Sequence, residues 1–178
     1  MDNELLKEAL SYSLAPNLHE EERKTKLRED GTYESNIEKT IDEDWILEHG
    51  TDEVDIENCT FYELPKDWQK ENLLAARLAI DLVFDKAIEG QPIFDDELEE
   101  MSSTIHAEWM KRNHPVNEKE NEEPELTVPY KDLPQEEKAK DKIQLVQAIT
   151  KIQDYKDGLV DIDEICQKYN LSQEQKSF

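Results

Sequence analysis

Glycine is scarce in this chain, with four in 178 residues, and proline occurs only seven times. Disordered linkers and all-β sandwiches use both residues freely, so their scarcity argues against either and leaves helix as the default. Cysteine is nearly missing as well. Cys59 and Cys166 lie far apart in no CxxC or Cys/His spacing, which predicts two free thiols in a reducing compartment and gives a disulfide framework no support. No apolar run approaches the roughly 20 residues that span a bilayer, and no N-terminal stretch follows the basic, apolar, small-residue order of a secretory signal. A cytoplasmic location is expected. GxGxxG, GxxxxGK[ST], GxSxG and HExxH are all lacking, so phosphate-loop, nucleophile-elbow and zinc-helix enzymes have no motif behind them.

Positive charge is the other shortage. Lys and Arg number 21 against 45 Asp and Glu, a net charge of −24, which phosphates and anionic membrane surfaces repel. Direct nucleic-acid or membrane binding is therefore not expected. The same charge suits a protein that imitates nucleic acid in the basic cleft of another protein, or one that only stays soluble.

What is present is helical periodicity. Leu5, Leu6, Ala9, Leu10 and Leu14 predict a helix over residues 3–14, stopped by Pro16. His19 to Asp30 is almost wholly charged and reads as a solvated helix or an arm. Ile37, Ile41 and Trp45 repeat every four residues behind Ser35, predicting a second helix that His49-Gly50 ends. Thr51 to Tyr62 reads as extended or looped.

Longer stripes follow over 66–89, 95–112 and 135–153, which should pack on one another with Trp68 and Trp109 in the core. Asp161 and Glu164 predict a capping box for a last short helix. Leu64-Pro65 and Leu133-Pro134 each follow an aromatic residue and open an apolar helix, which fits either a duplicated unit or a common grammar of helix entry. The expected fold is mainly α, a small helical bundle with acidic loops and little or no sheet. Its regions are an acidic N-terminal part (1–62), a helical core (63–155) and a short C-terminal helix and tail (156–178).

Chemistry-bearing clusters are thin. His106 falls on the edge of the Leu98, Met101, Ile105, Trp109 stripe, as a core-boundary residue or a pocket lining, while His19, His49 and His114 fall in expected loops or helix ends. The acids at Asp52, Glu53, Asp55 and Glu57, and the Asp157 to Glu164 segment, lack the oxygen spacing of a calcium loop. No catalytic residue, metal or cofactor is expected, and a hydrolase would require acids or histidines to converge in a cleft.

One resemblance can be named. Ile105-His106-Ala107-Glu108-Trp109, then a polar insert, then Val128-Pro129-Tyr130-Lys131-Asp132-Leu133-Pro134 with Glu137-Lys138 and Asp141, resembles the ryanodine-receptor repeat, or RyR domain, which also occurs in bacterial and phage proteins. The likeness covers about a third of the chain, within 94–155. The insert departs from it, since the acidic Glu118 to Glu125 run replaces a basic, aromatic and glycine-containing stretch. The resemblance implies a small helical module that regulates or recognises a small molecule or protein without catalysis. His106, Trp109 and Tyr130 are the candidate ligand-binding residues, and the alternative is that Trp109 and Tyr130 pack the two helices together.

Overall fold

A computed structural model describes residues 1–113 and 127–172. Among these the chain is mainly α, with six α-helices and one two-stranded antiparallel sheet. The elements are α1 (Asn3–Lys24), β1 (Ile37–Lys39), α2 (Glu43–His49), β2 (Glu53–Asp55), α3 (Lys66–Ile88), α4 (Asp95–Asn113), α5 (Gln135–Lys156) and α6 (Ile162–Tyr169).

The centre is α3, whose face of Ala76, Ala79, Ile80, Val83, Phe84 and Ala87 is buried. Alanines at this spacing let α1 and α5 approach closely, while Ile80 and Phe84 fill the volume between them. Leu10 and Leu14 of α1, Ile105 of α4 and Leu145 and Ile152 of α5 close the same core. The three long stripes thus form the helices their periodicity predicts. Trp68 and Trp109 are only half-buried, because each sits at a core margin; the Trp68 indole N–H donates to the Lys39 carbonyl at 3.0 Å.

Two expectations from the N-terminal part are corrected. Pro16 does not stop the first helix. It lies inside α1, where its missing N–H costs one rung of the ladder. The second half is held by tertiary contacts instead: Leu18 is buried, the His19 ring N–H donates to the Cys59 carbonyl at 2.7 Å, and Arg23 Nε donates to the Glu57 carbonyl at 2.9 Å. His19 is therefore neither in a loop nor facing water, and burial pushes its pKa down.

The four-residue repeat of Ile37, Ile41 and Trp45 is not one helix either. Ile37 belongs to β1, where it pairs with Asp55, and Asp42 caps α2 by accepting from the Trp45 N–H at 3.2 Å. Ser35 bonds Asp55 at 2.7 Å instead of capping. The stop at Gly50 does occur, with the residue in the left-handed conformation at φ 72°.

Both long core helices are entered in the same way. Phe61-Tyr62-Glu63-Leu64-Pro65 and Tyr130-Lys131-Asp132-Leu133-Pro134 each make a single 3-10 turn with a buried aromatic first residue. An extended buried leucine and the N-cap proline follow. The leucine N–H donates to the aromatic residue's carbonyl in both, at 3.2 and 3.0 Å. Proline suits this place because the first N–H of a helix has no partner to lose.

Candidate functional site

Val128 to Tyr130 folds against one line of α4, which spacing of three and four residues builds from Glu99, Ser102, His106 and Trp109. The His106 Nε2–H donates to the Val128 carbonyl at 2.6 Å, and its ring stacks on Trp109 with centroids 5.9 Å apart. The Tyr130 hydroxyl donates to Glu99 at 2.9 Å, and Glu99 also pairs with Lys142 from α5. Burial, then the Glu99 carboxylate, pushes the Tyr130 phenol up to about 12.

The sequence-predicted residues are thus placed along one helix face. His106 is 5 % exposed and Tyr130 8 %, so both rings are engaged mainly by protein, while Trp109 keeps a partly open face. Asp141 of α5 borders this seam. Its Oδ2 is buried without a hydrogen-bond partner among the described residues. The Glu118 to Glu125 run lies outside the described residues.

A second site was not legible in the sequence. The turn between α5 and α6 passes through Gly158, whose φ of 77° directs α6 back across α1. Asp161 fixes the start of α6 by accepting from the Glu164 N–H at 3.0 Å, which is the N-cap half of the expected capping box. Tyr169 then stacks on Tyr12 of α1, with centroids 4.5 Å apart and planes at 29°. The Tyr62 and Tyr169 hydroxyls are 3.3 Å apart, and Lys168 Nζ lies 5.0 and 5.2 Å from the two ring centres.

Cavities of about 390 and 280 Å³ flank this pair and share both Tyr12 and Tyr169. The larger lobe carries Lys151, Lys168, Asp154, Asp161 and Glu164; burial pulls the Lys151 pKa down against the attraction of Asp154. The smaller has Ala15, Phe61 and Leu73 among its lining, with Lys66, Lys70 and Arg77 as charged groups and no carboxylate.

Sequence reasoning missed this groove because its tyrosines come from three segments separated by long stretches of chain. Tyr12 also lies on a helix whose second half the proline rule cut away. Among the described residues no three His, Cys, Asp or Glu side chains converge as metal ligands, and Cys59 and Cys166 are free thiols. No described helix is long and apolar enough to cross a membrane. No family model, curated protein or solved structure matches the chain.

Proposed function

We propose that this chain is a non-enzymatic binding or regulatory protein whose ligand site is the tyrosine groove between α1, α3 and α6. The observation that carries the reading is the Tyr12–Tyr169 stack standing between two cavities, with Tyr62 and Lys168 at its edge. Stacked rings give a ligand large, rigid, partly apolar surface at small entropic cost. The RyR-like segment supports a recognition role in general, with His106, Trp109 and Tyr130 as a subsidiary surface through the open face of Trp109.

Titrating the full chain with N-phenyl-1-naphthylamine, an uncharged dye that brightens out of water, tests the groove. Wild type should bind it, and Tyr169→Ala should weaken binding about tenfold through lost ring contact. Tyr130→Ala, which acts at the other surface, should retain the dye affinity. Equal affinity in wild type and Tyr169→Ala, or no dye binding to wild type, would remove the groove from consideration.

A second reading, that the chain imitates nucleic acid in a basic cleft of another protein, is favoured by the lobe around β1, α2 and β2. Residues 36–58 carry nine carboxylates against Lys39, itself paired with Asp52 and Glu53. On the outer face of α2, Glu43, Asp44 and Glu48 surround Leu47, which is 86 % exposed, and Ile41 just before it is 83 % exposed. Competition against a short labelled DNA duplex for basic DNA-binding domains should show displacement that weakens tenfold or more between about 50 and 200 mM salt. Leu47→Gln should weaken it further. Displacement insensitive to salt, or none, counts against mimicry.

A further inference from the structure

We infer that the smaller lobe of the tyrosine groove selects an elongated organic anion, with an apolar body along α3 and an acidic head between Lys66 and Lys70. This rests on the groove being the binding site and adds the class of ligand. The composition makes the lobe unusual: carboxylates outnumber Lys and Arg by 45 to 21, yet its charged lining is Lys66, Lys70 and Arg77 alone.

These three do not stand alike. The Arg77 guanidinium is paired with Glu8 across to α1 and lies 5.9 Å from the centre of the Tyr12 ring, so its charge is already answered. Neither Lys66 Nζ nor Lys70 Nζ has a hydrogen-bond or ion-pair partner among the described residues, and the two lie one turn apart on α3. A ligand head placed there would meet two ammonium groups that form no ion pair with a described residue, Lys66 acting only at longer range on Asp42, on side chains that leave α3 about 6 Å apart along its axis.

Below them the wall continues with Leu73 and then Arg77 at helical spacing, so the lobe runs about 16 Å along α3. Opposite stand Tyr12 and Ala15 of α1, Phe61 at the helix entry and Tyr169 of α6. The order along the wall is cation (Lys66), amide (Gln69), cation (Lys70), apolar (Leu73), paired cation (Arg77). A cationic ligand would face both lysines, and a neutral one would leave them unused; an amphiphilic anion meets each part with its complement. The remainder of the protein repels anions at long range, so the attraction acts at contact and is screened by salt.

The experiment pairs two dyes of similar ring system on the full chain: 8-anilinonaphthalene-1-sulfonate, which carries one negative charge, and the uncharged N-phenyl-1-naphthylamine. Wild type should bind the sulfonate about tenfold more tightly than the neutral dye. The double variant Lys66→Gln with Lys70→Gln should lose that preference and keep its affinity for the neutral dye, which also shows that it folds. Single Lys70→Gln should fall between.

Equal binding of the two dyes to wild type, or a sulfonate preference that survives the double substitution, overturns the anion assignment while leaving the groove as a binding site. If neither dye binds wild type, the groove reading fails and the ligand class with it.

Discussion

Phe84→Ala should lower the free energy of unfolding by about 3–5 kcal/mol, the range for deleting a fully buried phenylalanine ring from a packed core. Phe84 is completely buried on the core face of α3, the helix that packs against both α1 and α5. Alanines occupy much of the same face, so the neighbouring backbones are already close and have little room to collapse into the hole. The Lys7 ammonium, 5.3 Å from the Phe84 ring centre, loses its aromatic contact as well. Trp68→Ala and Trp109→Ala, which remove larger rings that are only half-buried, should each cost less, about 1–3 kcal/mol. Urea unfolding of the three variants checks the order. A Phe84→Ala loss below that of both tryptophan variants would show that the core is centred elsewhere.

That ordering reverses the expectation from sequence, which placed both tryptophans in the core, and the reason is general to this chain. Periodicity identifies which stripe of a helix faces inward, but not how far along that stripe the neighbouring helices cover it. Trp68 is in the first turn of α3 and Trp109 in the C-terminal third of α4, and both carry the pattern with only half of the burial.

The same distinction accounts for the N-terminal part. Ile37, Ile41 and Trp45 have helical spacing because a strand, a connecting residue and a short helix happen to place apolar residues four apart. Pro16 was a sound local stop signal, overridden by contacts from His19 and Arg23 to carbonyls some 40 and 34 residues away. Nothing in a local window carries that information. The helix-entry sequences and the Asp161 cap were legible because each is settled within five residues, whereas the groove needs α6 to be folded across α1 before Tyr169 can meet Tyr12.

A pH-dependent stability difference at Asp141 is the remaining large effect. Burial, reinforced by the neighbouring Glu137 and opposed weakly by Lys140, pushes its carboxyl up to about 7 from an ordinary value of 3.8. Tyr130, from the turn before α5, faces the same charge, and the buried Oδ2 has no donor among the described residues. The folded state thus holds a proton that the unfolded chain releases, so this group contributes stability below about pH 4 that is lost as pH rises to about 7.

A shift of about three units corresponds to about 4 kcal/mol at most. Asp141→Asn should therefore be near neutral below about pH 4 and stabilising by about 2–4 kcal/mol at about pH 8, because the amide keeps the size of the protonated acid and cannot ionise. The buried His19, whose pKa is lowered, pulls stability the opposite way below its ordinary value of 6.5. The informative quantity is for that reason the difference between wild type and variant at each pH, measured by urea unfolding, and not the slope of either alone. Glu97 and Glu99, held below the usual carboxylate range by Lys86 and Lys142, act at lower pH in both proteins and cancel from that difference. A gap that widens from about pH 5 to about pH 8 identifies Asp141 as an acid held neutral between α4 and α5; a gap that stays constant would mean that its carboxylate finds its counter-charge in the folded protein.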